Sequence, residues 1–154
     1  MPDAPCGFGR PLFIVLEGGE GVGKTTLAGG LGMRLRMAGY PCLLTRDPGG
    51  TRLGRSIEGC LKRSASPVPG LTELLMFAAA RSLLTSEVIL PALKAGKTVI
   101  SDRYWPSSFA YQGYGRGVDL QTVQEVNRLA TGGLRPDLIV YLSLPVEVGL
   151  ARKA

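Results

Sequence analysis

Residues 18–25, GGEGVGKT, form a complete G-x-x-x-x-G-K-[ST] motif, and no other feature of the chain restricts its fold as strongly. The apolar run 12–16 precedes the motif, and a stretch with a helical pattern follows it. Between a strand and a helix, such a loop turns its backbone N–H groups and the positive helix end toward phosphate oxygens. Lys24 then reaches the β- and γ-phosphates, and the Thr25 hydroxyl takes Mg²⁺. The motif therefore predicts a binding site for a nucleoside triphosphate.

Length and composition predict one domain with one hydrophobic core. The chain has 154 residues, of which 45% are hydrophobic, and this is enough to bury a core. We expect residues 1–11, rich in proline and glycine, to be a disordered or frayed tail and residues 12–154 to form the domain. No apolar run approaches the roughly 18 residues that span a bilayer, so we expect no membrane association. The N-terminus also lacks the apolar segment of a signal peptide.

The cysteines argue against a metal site. Cys6, Cys42 and Cys60 are far apart and fit no metal-binding spacing, and the chain has no histidine. An odd, scattered set of cysteines is typical of a reducing compartment, so we expect a cytoplasmic protein.

The net charge of +6 raises the question of nucleic-acid binding. The basic residues are scattered, mostly arginine, and no stacking aromatics are interleaved among them. A small, phosphate-rich substrate explains an arginine excess equally well, because arginine binds phosphate in a bidentate manner. We therefore expect no nucleic-acid partner.

Short apolar runs alternate with helical patterns along the chain. The predicted strands are 12–16, 41–46, 97–101 and 138–144, and the predicted helices are 25–38, 51–62, 71–94, 119–132 and the segment from 146 on. This alternation predicts an α/β fold with a parallel sheet and right-handed crossovers.

Two segments carry more specific expectations. In the long helix 71–94, Thr72 is the predicted cap, and Pro91 is expected to bend or end the helix. The apolar side of that helix is predicted to include Leu75, Ala79 and Leu83. The segment after Arg103, rich in aromatics and glycine, is predicted to be a loop as far as Gly117, and Asp119 is predicted to cap the next helix.

Four sequence segments are expected at strand ends, where open α/β sheets bind ligands. They are the phosphate loop 18–25, TRDPGGT at 45–51, DRY at 102–104 and AYQG at 110–113. Together with LMFAAAR at 75–81, they closely resemble thymidylate kinases, in the same order and spacing from Phe13 to Arg152. Phosphate loops are common to many folds, whereas this combination is specific.

The resemblance implies a three-layer P-loop NTPase fold, in which helices flank a central parallel sheet. It also implies transfer of the γ-phosphoryl group of ATP to thymidine monophosphate. The implied ATP-binding residues are Gly18, Gly19, Glu20, Gly21, Val22, Gly23, Lys24, Thr25 and Thr26. Thr25 and Asp102 would organise Mg²⁺, partly through water, since Asp102 stands where such folds place a metal-organising carboxylate. Its alternative role is that of a helix or loop cap.

The resemblance also implies an acceptor site for thymidine monophosphate. Its residues would be Glu20, Arg46, Phe77, Arg81, Arg103, Ser108, Tyr111 and Gln112. Lys24, Arg46, Asp102 and Arg103 would be the catalytic residues, with both arginines holding the acceptor phosphate and facing the ATP.

Each acceptor residue is implied to contact a particular part of the nucleotide. Phe77 would stack on thymine, and Arg81, one helical turn later, would bind a base carbonyl. Ser108 and Gln112 would contact the base or the nearby loop, and Gln112 is the weaker of the two assignments. Tyr111 would pack against the deoxyribose, and Glu20 would bind its hydroxyl. By residue type alone, Phe77 is more often a core residue.

Other ordinary structural roles are also open at these positions. The alternative role of Arg46 and Arg103 is a surface salt bridge, and that of Tyr111 is a loop anchor. A carboxylate such as Glu20 is unfavourable in an anion-binding loop unless it has a partner, and this supports its functional role.

The sequence also departs from part of the family. Residues 20–23 contain no arginine before Lys24, which resembles the bacterial type, in which a mobile lid after the fourth strand supplies arginines. That lid would begin near Arg152, so we expect the lid, the last strand and the final helices of the fold to be missing. Because an arginine finger contributes about 10³–10⁵ in rate, we expect very slow turnover and weak nucleotide binding.

Two alternatives to a thymidylate kinase remain open on the sequence alone. One is a kinase for another nucleoside monophosphate, against which Phe77, Arg81 and Tyr111 argue. The other is a catalytically defective fragment that only binds nucleotide. The resemblance further implies a homodimer, with the long helices near its interface.

Overall fold

The structure is a computed structural model that describes residues 9–152. Most of the predicted tail, residues 1–8, therefore lies outside the described residues. Contacts divide the chain into two compact units that alternate along the sequence. The first unit is Met1–Thr45, Pro91–Asp102 and Pro136–Ala154, and the second is Arg46–Leu90 and Arg103–Arg135.

A parallel sheet forms the centre of the first unit. Within the described residues it has four strands in the order β2-β3-β1-β4. The strands are β1 (Phe13–Gly18), β2 (Cys42–Arg46), β3 (Thr98–Asp102) and β4 (Leu138–Leu142). β1 pairs in parallel with β3, where Leu16 lies opposite Asp102, and with β4, where Gly18 lies opposite Leu142. The predicted α/β fold is confirmed, and the ends of β1 and β3 reach the same edge of the sheet.

The core of the first unit lies between this sheet and the helix that follows β1, α1 (Lys24–Met37). Ile14, Leu16 and Ile100 are buried there with Ala28 of α1. Burial of each such leucine or isoleucine side chain contributes roughly 1.5–3 kcal/mol. α1 begins where the phosphate loop ends, so this packing also fixes the position of that loop.

The second unit is helical, and its long helix α3 (Gly70–Leu84) packs against α2 (Arg52–Lys62) and α6 (Leu120–Thr131). Along the chain, α3 is followed by α4 (Leu90–Lys94), most of which belongs to the first unit, and by β3 of the first unit. The short helix α5 (Pro106–Ser108) comes next and belongs to the second unit. Fully buried members of the second unit's core include Leu74 and Val123. α2 begins after Thr51, whose hydroxyl accepts a hydrogen bond from the backbone N–H of Gly54 at 2.9 Å.

The predicted helix 71–94 is confirmed as one continuous helical stretch, Gly70–Lys94, but its predicted cap is wrong. α3 begins directly after Pro69, so Thr72 lies inside the helix and does not cap it. A π-helical turn, Thr85–Ile89, joins α3 to α4, and Pro91 lies within α4. Proline lacks the N–H that would continue the α-helical pattern. The N–H of Leu90 bonds the carbonyl of Thr85, five residues earlier, and the helical path continues past the proline.

The predicted apolar face of α3 is also wrong. Leu75 and Ala79 are exposed and Leu83 is half-buried, whereas Leu74 and Ala78 are buried. The helical stretch Gly70–Lys94 is long and apolar enough to cross a membrane by length and composition. It nevertheless supplies core residues to the second unit, so it is a core helix.

The segment after Arg103 was expected to be a loop, and this is wrong as well. It forms α5 and then a π-helical turn, Phe109–Tyr114, before reaching Gly117. The predicted start of α6 is confirmed, since Asp119 caps it and accepts a hydrogen bond from the backbone N–H of Thr122 at 2.8 Å. The last described helix, α7 (Val146–Ala151), begins where it was predicted.

Replacing Asp119 with alanine is expected to lower the melting temperature by roughly 2–4 °C. The bond from the backbone N–H of Thr122 lowers the pKa of Asp119 below its ordinary value. Its contribution to stability is therefore present above the ordinary carboxyl pKa and is lost as the pH falls through the lower folded value. Thermal unfolding followed by circular dichroism near pH 7 and near pH 3 measures the effect. The difference in melting temperature between Asp119→Ala and wild type should be smaller near pH 3. Asp119→Asn, which keeps an acceptor, is the control; an equal loss at both pH values would contradict this role.

Candidate functional site

The phosphate loop of the first unit joins β1 to α1 and is held by its own lysine. Lys24 is buried, and its Nζ donates to the carbonyl oxygens of Gly18 at 3.0 Å and Gly19 at 2.6 Å. Gly23, immediately before α1, has a φ of 94°, a left-handed conformation that favours glycine. The first turn of α1 carries no acidic residue, so no carboxylate there competes with an anion at this helix end.

A hydroxyl and a carboxylate meet beside this loop. Thr25 Oγ1 donates to Asp102 Oδ2 at 2.5 Å, because Asp102 ends β3 next to β1, whose loop leads into Thr25. The sequence predicted that these two residues share a role, and the fold brings them together. Oxygen donors of this kind suit Mg²⁺, which keeps several waters and takes only one or two carboxylates. Within residues 9–152, no group of three or more His, Cys, Asp or Glu side chains is placed to hold a metal.

The other side of the loop approaches α7. A Cβ atom built on Gly21, which has a φ of 69°, would lie 1.8 Å from the carbonyl oxygen of Gly149. One on Gly149 would lie 2.4 Å from the carbonyl oxygen of Glu20. Two glycines thus allow loop and helix to touch. Glu20 and Val22 also line a cavity of about 240 Å³ whose other wall is β4 and α7. The sequence did not predict a role for Gly149, because no neighbouring residue distinguishes it from the other glycines.

In the second unit, Arg81 is the most strongly bound of the predicted acceptor residues. It is buried, its Nε donates to Asp47 Oδ2, and its Nη1 donates to Ser108 Oγ at 3.0 Å and to Asn127 Oδ1. The fold thus brings together Arg81 and Ser108, both predicted site residues. Asp47 and Asn127 were not predicted, although Asn127 stands at helical spacing from buried Val123, a position where a polar residue indicates a partner.

Arg103 and Tyr111, both predicted acceptor residues, form a second pair that the sequence did not predict. Arg103 Nη1 donates to the Tyr111 hydroxyl at 2.9 Å, and the guanidinium carbon lies 5.1 Å from the centre of that ring. Arg103 has a φ of 71°, which is uncommon outside glycine. This backbone turn at the end of β3 directs the chain from Asp102 into α5.

Three further predicted acceptor residues, Arg46, Phe77 and Gln112, lie in the second unit. Arg46 is half-exposed and binds Glu58 Oε2 at 2.8 Å, in the surface salt bridge that was its alternative role. Gln112 is buried and donates to Glu73 Oε1 at 2.6 Å. Phe77 is half-buried on α3, one turn before Arg81. A cavity of about 420 Å³ in the same unit is lined by Trp105, Phe109, Gln124, Asn127, Arg128, Thr131, Gly133, Leu134 and Arg135, none of them a predicted site residue.

Two kinds of comparison relate the sequence to known proteins. A family model described as thymidylate kinase matches residues 16–154. A thymidylate kinase from Synechococcus sp. (strain JA-2-3B'a(2-13)) is 55% identical over 141 residues, covering 92% of this chain and 68% of that protein. One from Dehalococcoides mccartyi (strain CBDB1) is 52% identical over 143 residues, covering 92% of this chain and 69% of that protein. This chain therefore spans about two thirds of the length of these relatives.

The comparison of folds also matches a thymidylate kinase. The crystal structure of a thymidylate kinase from Ehrlichia chaffeensis superposes with a TM-score of 0.82 at 34% sequence identity. The match covers 93% of this chain and 82% of that one. Sequence and backbone thus point to the same group of proteins.

Proposed function

Because this chain belongs to the thymidylate kinase family, whose members phosphorylate dTMP to dTDP using ATP, we propose how its residues divide that reaction. The observation that carries the proposal is the phosphate loop, with Lys24 held against its carbonyls and Thr25 hydrogen-bonded to Asp102. A loop, a lysine and a hydroxyl–carboxylate pair in this order suit a triphosphate and its metal. The first unit therefore takes the donor nucleotide.

On the donor side, the loop amides and the start of α1 bind the β- and γ-phosphates. The Lys24 ammonium, which contacts the Gly18 and Gly19 carbonyls, would exchange them for phosphate oxygens. Thr25 and Asp102 would hold Mg²⁺, which supplies positive charge to the phosphate oxygens. Asp102 keeps the Thr25 hydroxyl oriented, because its carboxylate accepts a hydrogen bond from that hydroxyl.

On the acceptor side, the second unit supplies arginines and aromatic rings. Phe77 would stack on the thymine ring, and Arg81 would donate to a base carbonyl from the same face of α3. Arg103, which donates a hydrogen bond to the Tyr111 hydroxyl, would bind the acceptor phosphate. Arg46 would join it after exchanging its bond to Glu58, an exposed pair that costs little to open.

We extend the proposal to assembly and location. Leu53 of α2 and Leu71 and Leu75 of α3 are large apolar side chains left about half exposed in the second unit. Such a surface supports a homodimer formed through these helices. The scattered cysteines support a cytoplasmic location.

Product formation with different acceptors tests this function. The chain is incubated with ATP, Mg²⁺ and one of dTMP, dCMP, dAMP or dGMP, and diphosphates are quantified by anion-exchange chromatography. We expect dTMP to be preferred by at least about tenfold, because a hydrogen-bonded base site rejects the wrong base. We also expect dTMP to raise the melting temperature of the ATP-bound chain. Binding of ATP without any effect of dTMP would show a nucleotide-binding module, and preference for another acceptor would show a different kinase.

A further inference from the structure

Arg81 is buried and held by three polar side chains. Its side chain is 3% exposed, and that of Asp47 is 0% exposed. Three acceptors from three different segments converge on it: Asp47 Oδ2 after β2, Ser108 Oγ in α5 and Asn127 Oδ1 in α6. The guanidinium carbon also lies 5.9 Å from the centre of the Tyr104 ring.

The partners of Arg81 are themselves fixed. Asn127 Nδ2 donates to the carbonyl oxygen of Val123 at 2.8 Å, and this orients its Oδ1 toward Arg81. The Tyr104 hydroxyl is 2.7 Å from Thr85 Oγ1, and the tyrosine is fully buried. The guanidinium is therefore held in both position and plane.

These contacts leave one arm of the guanidinium for a ligand. They use Nε and Nη1, while no residue in the described part of the chain accepts from Nη2. Phe77 precedes Arg81 by one helical turn on the same face. A donor fixed beside a ring is suited to read a carbonyl in the plane of a stacked base.

We propose that Asp47 and Asn127 are positioning residues that hold Arg81 in the orientation that reads the thymine base. The inference rests on the proposed function, since it assumes that Arg81 meets the base. Asp47 fixes Nε and neutralises the buried charge, while Asn127 and Ser108 fix Nη1. A preorganised arginine loses little side-chain entropy on binding, so Asp47 and Asn127 strengthen dTMP binding without contacting the nucleotide.

A matched pair at Asn127 tests the proposal. Asn127→Leu and Asn127→Asp both lose the donor to Val123, but only Asn127→Asp keeps an acceptor for Arg81. We expect Asn127→Leu to weaken dTMP binding about tenfold and Asn127→Asp to stay within about threefold of wild type. Isothermal titration with dTMP, and separately with ATP and Mg²⁺, measures both affinities; the ATP affinity should not change.

Asp47→Asn and a packing control complete the set. Asp47→Asn removes the charge but keeps an oxygen for Nε, and we expect it to weaken dTMP binding by about tenfold or more. Val123→Ala changes a fully buried apolar residue one turn before Asn127 on α6. It should lower the melting temperature and leave dTMP affinity unchanged.

The outcomes separate this inference from the function on which it rests. If the wild type binds ATP but not dTMP, the proposed function fails. If dTMP binds and Arg81→Ala weakens it, but both Asn127 variants bind equally, positioning by Asn127 is refuted. If Asp47→Asn lowers only the melting temperature, as Val123→Ala does, Asp47 has a structural role alone. Should Asp47→Asn fail to fold, the Asn127 pair still decides.

Discussion

Replacing Arg81 with leucine is expected to destabilise the protein by about 3–5 kcal/mol, because it leaves a buried carboxylate without its counter-ion. Asp47 has no exposed side-chain surface, and its Oδ2 accepts from Arg81. No residue within 9–152 donates to its Oδ1. Arg81 is therefore the cation that pairs with this buried charge, and replacing it leaves the charge without that partner. Urea unfolding followed by circular dichroism measures the loss.

The effect should depend on pH in a defined direction. Burial raises the pKa of Asp47 above its ordinary value, and the charge of Arg81 lowers it part of the way back. Without Arg81 the folded pKa rises further. A raised carboxyl pKa means that the folded state binds the proton more tightly, so stability falls as the pH rises from the ordinary value through the folded value. The difference in the free energy of unfolding between wild type and Arg81→Leu should therefore become smaller as the pH is lowered.

Two further variants make this prediction specific. Adding Asp47→Asn to Arg81→Leu removes the unpaired charge and should recover part of the lost stability. Arg128 forms an exposed pair with Glu125, whose side chain is 59% exposed; Arg128→Leu should change stability by no more than about 0.5 kcal/mol. An Arg81→Leu variant as stable as Arg128→Leu would show that the buried pair contributes nothing to folding.

Local signals in the sequence predicted the arrangement of Lys24, Thr25 and Asp102. The phosphate loop is one uninterrupted motif between an apolar run and a helix, so Lys24 and Thr25 are placed by sequence alone. Asp102 could be placed beside Thr25 because parallel neighbours end at the same edge of a sheet. The cap at Asp119 was equally local, since an aspartate before a helical pattern needs only the next turn to act.

The long helix was harder because its sequence is apolar on nearly every side. Leu74 and Leu75 are adjacent leucines, and only the first is buried. Which of them faces the core depends on what packs against α3, and periodicity carries no such information. The buried face also contains Arg81, a charged residue that sequence patterns place on the outside.

The proposed acceptor side depends on contacts between distant parts of the chain. Arg81 could be singled out by its motif, but its partners Asp47 and Asn127 lie 34 and 46 residues away in sequence. No spacing rule links such positions, because their approach depends on how α3 and α6 pack. The helical path through Phe109–Tyr114 was missed for a related reason: glycine and aromatic residues favour a loop locally, and tertiary packing prevails over that preference.

The second large effect is expected at Gly21, where alanine should weaken binding of ATP with Mg²⁺ by about 100-fold or more. The φ of 69° at Gly21 already disfavours a side chain. A Cβ there would lie 1.8 Å from the carbonyl oxygen of Gly149, a backbone atom that cannot rotate away. Loop and α7 must therefore separate, and the loop amides move from the positions that face the phosphates. Titration with a fluorescent ATP analogue measures the loss.

The chain offers two matched glycine-to-alanine controls for this prediction. Apart from the two chain neighbours and, for Gly29, the backbone of its own helix, no atom of the described residues lies within 4 Å of a Cβ built on Gly23 or Gly29. Gly23→Ala therefore tests the cost of a positive φ alone and should give an intermediate loss of affinity. Gly29 lies inside α1, where alanine is the better helix former, so Gly29→Ala should raise stability by up to about 1 kcal/mol and leave ATP affinity unchanged. If Gly21→Ala bound ATP as well as Gly29→Ala does, the close approach of α7 would have no part in shaping the phosphate loop.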